Sequence, residues 1–181
     1  LEDLGADAPN FTAEEMEVIS TPLDFIGVNC YAGAYIRHDA DSPRGWSQVP
    51  NDPGQPVMNI WWLTFAPPVL YWSPRHVSDL WKPKALYITE NGAPSPDKPN
   101  AAGEIMDTGR TMYLQQYLTN LHRCVAEGHP VKGYFLWSFM DNFEWSFGFS
   151  QRFGIHYTDY VTQTRTPKLS AKYYKQVIAA N

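Results

Sequence analysis

Apolar and polar positions along the chain fall into three blocks, each a short apolar run followed by a segment with helical spacing. Thr12-Ala-Glu-Glu15 has the reciprocal capping pattern that opens a helix, which is expected to run to about Ile19. Pro22 ends it, and Leu23-Asp-Phe-Ile-Gly-Val-Asn29 follows as a buried strand. Residues 32–66 are rich in Pro, Gly, Asn and Asp and read as one long loop. A helix is expected from about Pro68 to Trp81, kinked at Pro74.

The second block opens with the β-prone run Ala85-Leu-Tyr-Ile-Thr89, which stops at Glu90-Asn-Gly92. After a polar, Pro-rich loop to about Asp107 comes the clearest helical stripe in the chain. Leu114, Tyr117, Leu118, Leu121 and Val125 are spaced to line one face, and Gly128 and Pro130 terminate the element. The third block begins with Gly133-Tyr-Phe-Leu-Trp-Ser-Phe139. An aromatic loop from Asp141 to Phe153 leads into a hairpin around Ile155 to Thr164. A last helix over Leu169 to Ala179 buries Tyr173, Tyr174, Val177 and Ile178.

Apolar strands alternating with helices predict a parallel sheet covered by helices. Two architectures satisfy that, a doubly wound sheet and a (β/α)8 barrel. No Gly-rich phosphate loop follows any strand, which weighs against a nucleotide-binding doubly wound fold. In all three blocks the polar and aromatic residues gather just past the strand's C-terminal end, where a barrel keeps its active site.

Composition narrows the function classes. Hydrophobic side chains make up 44% of the 181 residues and charged ones 18%, enough for a packed core and too apolar for disorder. A net charge of −5 speaks against a nucleic-acid binder, which needs basic side chains to neutralise phosphates. No apolar run approaches the ~20 residues of a membrane-spanning helix, and Leu1 to Asn10 lacks a basic-then-apolar leader pattern, so no membrane partner is expected. Cys30 and Cys124 form neither a disulfide framework nor a metal cluster, which fits a reducing, cytoplasmic setting. Aromatic residues reach 15%; flat rings with a polar tip suit sugar faces, and equally suit cores and interfaces.

The candidate chemistry is carboxylate chemistry. Glu90 closes an apolar strand before Asn91-Gly92; it reads either as a ligand-facing carboxylate on a rigid element or as a salt-bridged strand-edge glutamate. Glu144, among the aromatics of Asp141-Asn-Phe-Glu-Trp145, could accept hydroxyl hydrogen bonds while Trp137 or Trp145 packs on a sugar ring; its plain alternative is a solvated loop glutamate. Asn29 and Tyr31 end the first strand and share a side by alternation, whereas Cys30 faces the other way, toward packing. Tyr31 could donate to a carboxylate across the strand ends or sit in the core. His38, His76, His122, His129 and His156 show no metal-ligand spacing. No Gly-x-Ser-x-Gly elbow is present.

Together these residues resemble a known family. Tyr87-Ile-Thr-Glu-Asn-Gly92 resembles the nucleophile motif of family 1 glycoside hydrolases, the β-glucosidase family of retaining (β/α)8 barrels. Gly133-Tyr-Phe-Leu-Trp-Ser-Phe-Met-Asp-Asn-Phe-Glu-Trp145 resembles its sugar-binding segment, and Asp24-Phe-Ile-Gly-Val-Asn-Cys-Tyr31 the end of its sixth barrel strand. Arg152-Phe-Gly154, Tyr157-Thr-Asp159 and Arg165-Thr-Pro-Lys-Leu-Ser170 fit its C-terminal pattern.

The resemblance spreads over essentially all of residues 1–181 and implies a partial (β/α)8 TIM barrel, about three C-terminal strand-helix units of a β-glucosidase. It implies Glu90 as the nucleophile, Tyr31 as its hydrogen-bond partner, and Asn29 nearby. Trp137 would lie under the non-reducing sugar, Glu144 and Trp145 on its outer hydroxyls, and Phe153 on the pocket wall. An aglycone-side tryptophan would be Trp61 or Trp62. A glutamate at position 144 would repel a sugar phosphate, so the implied substrate is an unphosphorylated β-glycoside. The chemistry implies no metal and no cofactor.

The chain departs from the family at one decisive point: it contains no Asn-Glu-Pro, the motif that carries the acid/base glutamate. The expected function is therefore that of a retaining β-glucosidase fragment, inactive alone, with the missing N-terminal half or self-association as its protein partner. The alternative is a noncatalytic sugar-binding or assembly module.

Overall fold

The computed structural model describes residues 2–180. In chain order its elements are a 3-10 turn (Glu2–Asp7), α1 (Ala13–Ile19), β1 (Ile26–Asn29), β2 (Tyr35–His38), β3 (Trp46–Val49) and α2 (Val69–Trp81). Then follow β4 (Leu86–Asn91), α3 (Thr108–Ala126), β5 (Val131–Leu136), a 3-10 turn (Trp145–Phe147), β6 (His156–Thr158), β7 (Arg165–Pro167) and α4 (Leu169–Ala179). β1, β4 and β5 form a parallel three-stranded sheet in that spatial order. Each strand lies beside the one before it with no reversal, so these units are singly wound.

Strand alternation sorts the sheet into two unlike faces. Leu86 and Ile88 of β4 are fully buried and join Leu70, Tyr71, Tyr113, Leu114, Tyr117 and Leu121 of α2 and α3 in one core. On the opposite face Tyr87 meets Phe25 and Phe135 edge-on or tilted, with ring centroids 5.3 and 6.5 Å apart. Phe25 and Phe135 remain 54% and 58% exposed, so among the described residues nothing covers this apolar face.

The capping box at α1 is complete: Glu15 N donates to Thr12 Oγ1 at 3.2 Å and Thr12 N donates to Glu15 Oε2 at 2.9 Å. Every residue of α1 is exposed, Met16, Val18 and Ile19 included. α2 runs as one helix through the buried Pro74.

Several expectations are corrected. The segment 32–66 is not one loop, because β2 and β3 pair antiparallel within it. Every residue of β2 is exposed, so no burial period marks the hairpin in the sequence. The first strand starts at Ile26, and the second reaches Asn91, taking Glu90 into the sheet. On α3 the buried stripe passes through Cys124 (0% exposed), not Val125 (43%). On α4 the buried positions are Ser170 and Ala171, and Ile178 is exposed.

A buried ionic network joins the loops behind the sheet's C-terminal end. Arg110 at the start of α3 pairs with Asp97 and Asp107, Lys168 with Asp97 and Asp141, and Arg152 with Asp141. Three cations thus balance three carboxylates. Burial, and then the Arg110 charge, push the Lys168 ammonium below its ordinary pKa, while Asp141 and Asp97 hold it up. Asp141 also accepts from the backbone N–H of Gly154 at 3.0 Å and of Thr158 at 3.3 Å. One carboxylate therefore anchors the aromatic segment that runs from Trp137 to β6.

Candidate active site

The C-terminal ends of β1 and β4 lie side by side, with Asn29 paired to Glu90 and the Cys30 N–H donating to the Glu90 carbonyl at 2.8 Å. Just beyond, the Tyr31 hydroxyl donates to Glu90 Oε2 at 2.9 Å. Burial, and then the bond to Glu90, push the Tyr31 phenol far above its ordinary pKa, so it stays protonated and remains a donor. Its ring is held edge-on by Trp62 and Phe153, at centroid distances of 5.8 and 6.5 Å. Asn29 lies in the same cluster but serves a different partner: its Oδ1 accepts from Thr89 Oγ1 at 2.7 Å. The pairing register slips between Val28 and Asn29, which sets Asn29 against Thr89 as well as Glu90.

Trp137 follows β5 and is tied to β4 by its N–H, which donates to the Asn91 carbonyl at 2.9 Å. This close approach requires glycine at position 92, since a Cβ there would lie 1.7 Å from the Trp137 carbonyl oxygen. The Trp137 indole Nε1–H donates to Glu144 Oε2 at 3.4 Å. Burial raises the Glu144 pKa and the nearby Glu90 charge adds to the shift, against the indole bond, which lowers it. Trp145 is 80% exposed at the start of the 3-10 turn. Phe153 is only 2% exposed, so its ring backs Tyr31 and does not present an open wall. Of the two tryptophan candidates on the β1–α2 connection, Trp62 touches Tyr31 and Trp61 is 79% exposed.

The arrangement can do two things chemically. Glu90 offers a carboxylate with one oxygen held by a phenol and the other free of that partner. Glu144, capped by an indole, offers an acceptor for hydroxyl groups beside an aromatic face. Among the described residues no group of three His, Cys, Asp or Glu converges to hold a metal ion.

The model of the family described as "Glycosyl hydrolase family 1" matches residues 2–181. The chain belongs to glycosyl hydrolase family 1. A 1,4-beta-D-glucan glucohydrolase of Thermotoga neapolitana is 39% identical over 173 residues, covering 96% of this chain. Beta-glucosidase A of Thermotoga maritima is 38% identical over 173 residues, again covering 96% of this chain. The chain spans 38% of the length of each of these two curated relatives. Among solved structures, a β-glucosidase from Thermotoga maritima in complex with methyl acetic acid-substituted glucoimidazole superposes with a TM-score of 0.89 at 36% identity. That match covers 100% of this chain and 40% of the other. The solved relatives are family 1 glycosidase TIM barrels, and the described part of this chain is α/β with a parallel three-stranded sheet.

Two parts of this glycosidase-family site escaped the sequence reading. Asn91 was noted only as the residue after Glu90, yet its side chain is fully buried and hydrogen-bonded to three partners. The charges at 97, 107, 110, 141, 152 and 168 are scattered along polar loops and helix starts, with no spacing that announces a shared buried cluster. The signal that was available is that Asp141, Arg152 and Lys168 all fall inside motifs already singled out.

Proposed function

We propose that this chain supplies the nucleophile-bearing part of a retaining β-glucosidase. In this reading β1, β4 and β5 form part of a (β/α)8 barrel wall. The uncovered apolar face, with Phe25 and Phe135 more than half exposed, is its interior. Further strand-helix units complete the barrel, whether they lie on the same polypeptide or on another. The relatives' greater length supports this, since the chain spans 38% of it.

The observation that carries the reading is the Tyr31–Glu90 pair at the ends of adjacent parallel strands. Retaining hydrolysis needs one carboxylate to attack the anomeric carbon and a second carboxyl group about 5–5.5 Å away to protonate the leaving oxygen. Glu90 is the attacking group. One of its oxygens is occupied by the Tyr31 hydroxyl, which leaves the other to form the bond to C1 as the bond from C1 to the aglycone oxygen breaks. Water then attacks C1, giving its proton to the second carboxyl group, now the base, as the C1–Glu90 bond breaks and frees Glu90. Trp137 stacks under the sugar, and Glu144 and Trp145 take its outer hydroxyls. The solved relative's bound glucoimidazole derivative supports a glucoside-shaped ligand for this site.

The proton donor comes from outside this chain, because Glu144 is engaged by Trp137 and assigned to the sugar's hydroxyls. Without that donor, alkyl glycosides lose about 10²–10⁴ in rate, so the chain alone gives no appreciable turnover. The test is labelling with a fluorinated glucoside, applied to the chain alone and together with the N-terminal portion of Beta-glucosidase A. Peptide mapping should place the label on Glu90 in the mixture, and Glu90→Gln should abolish it. A label elsewhere, or none in an assembly shown to form, overturns the proposal. Glucoside binding without cleavage, unchanged by the N-terminal portion, would point to a sugar-binding module instead.

A further inference from the structure

The three strand ends that carry Tyr31, Glu90 and Trp137 meet at one buried side chain. Asn91 is fully buried. Its Nδ2 donates to the Cys30 carbonyl at 2.8 Å and to the Tyr113 hydroxyl at 2.9 Å, while its Oδ1 accepts from the Tyr134 hydroxyl at 2.8 Å. A carbonyl can only accept, so the Cys30 contact fixes which end of the amide points where. The main chain repeats the pattern: the Cys30 N–H donates to the Glu90 carbonyl, and the Trp137 N–H donates to the Asn91 carbonyl. Cys30 immediately precedes Tyr31, and Asn91 immediately follows Glu90. The amide thus bridges the backbone of the phenol's strand to that of the carboxylate's strand, braced by Tyr113 from α3 and Tyr134 from β5.

The bracing groups suit that task. Burial pushes the Tyr113 and Tyr134 phenols well above their ordinary pKa, so both stay neutral hydroxyls at any physiological pH. Tyr113 stacks on Tyr117 at a centroid distance of 3.8 Å, and Tyr134 packs against Tyr174 of α4. A side chain with every polar atom satisfied, and with partners locked by packing, has one low-energy orientation.

We propose that Asn91 is a positioning residue: its amide, clamped between the Cys30 carbonyl and the Tyr113 and Tyr134 hydroxyls, sets the Tyr31–Glu90 contact. This rests on the nucleophile reading of Glu90 for its catalytic meaning, but its test needs no turnover. Failure of the covalent labelling would therefore sink that reading without deciding this one.

The experiment is NMR on the chain with tyrosines carrying 13C at Cζ, a nucleus sensitive to what the hydroxyl donates to. Tyr31→Phe identifies the Tyr31 signal, and Glu90→Gln gives the shift produced by replacing a charged acceptor with a neutral one. Asn91→Asp sets a second acceptor against the Cys30 carbonyl. It should move the Tyr31 signal by about half or more of the Glu90→Gln shift. Tyr134→Phe, a milder change that decides the matter should Asn91→Asp not fold, should move it less and in the same direction. Cys124→Ala empties a buried site on α3 and controls for general loosening; it should leave the signal in place. A wild-type Tyr31 signal in the folded variants overturns the proposal. So does an equal movement in Cys124→Ala, or no response to Glu90→Gln.

Discussion

Replacing Arg110 by Met tests what holds the site's loops together. The guanidinium is 1% exposed and serves four acceptors: the Ala93 carbonyl at 2.9 Å, Asp97 at 2.8 Å, Asp107, and the Arg152 carbonyl. Methionine fills the volume but leaves those acceptors short of a donor. The two carboxylates are not abandoned, since Asp107 keeps the Ser170 N–H at 2.9 Å and Asp97 keeps Lys168. Breaking a buried ion pair by removing one partner costs about 3–5 kcal/mol, and the surviving partners favour the lower half of that range. With a urea slope of ~2 kcal/mol/M, a loss of about 3.5 kcal/mol lowers the unfolding midpoint by ~1.75 M. Urea unfolding followed by tryptophan fluorescence reads this directly, provided the slope is unchanged. Arg110→Lys, which keeps the charge but loses the planar fork, should fall between. The double variant Arg110→Met/Asp107→Asn should cost less than the sum of the two single changes, because the pair shares one interaction. A midpoint within ~0.5 M of wild type, equivalent to about 1 kcal/mol, would refute the view that this network organises the loops.

Glu144→Gln probes the raised carboxyl. A group that binds its proton more tightly folded than unfolded contributes a stability loss that grows as pH climbs from the ordinary value of 4.5 through the raised one. Wild type should therefore gain stability relative to Glu144→Gln as pH falls across that window, measured by paired urea titrations; a pH-independent difference would contradict it. Gly92→Ala should force β4 and β5 apart at their C-terminal ends, where the added Cβ meets the Trp137 carbonyl oxygen at 1.7 Å. Overpacking against backbone of about 3 kcal/mol lowers the melting temperature by ~6–12 °C. A variant that melts with the wild type would show that the contact can relax freely.

The buried network and the Asn91 clamp divide the work of support. Asn91 joins the strand ends from within the sheet, and Asp141, held by Lys168 at 2.7 Å and Arg152 at 2.7 Å, fixes the segment that carries Glu144. The Tyr31–Glu90 pair and the Trp137–Glu144 segment are thus set from two sides by buried polar contacts. The exposed Trp145 is the part of the site with least support within the described residues.

Local pattern carried much of this protein. The α1 cap, the α3 and α4 spans, and the strands around Leu86 to Ile88 follow from capping chemistry and periodicity, which depend on neighbours a few residues away. The order of polar and aromatic residues after each strand raised Glu90, Trp137 and Glu144 as candidates, and only the family resemblance gave them roles. What only tertiary structure decided is which distant groups meet. Tyr31 and Glu90 are 59 residues apart; the alternation of strands and helices led to a parallel sheet, but their contact also depends on the slip at Asn29, which leaves no local trace. The β2–β3 hairpin was hidden because neither Tyr35-Ile-Arg-His38 nor Trp46-Ser-Gln-Val49 alternates apolar with polar residues, and β2 is exposed throughout. The pairing of Arg110, Asp97 and Lys168 was not legible, since nothing in a sequence distinguishes a solvated charge from one neutralised by partners 13 and 71 residues away. Periodicity reports which side of an element is buried; the identity of the group on the other side is fixed only when the sheet closes its register and the loops pack over it.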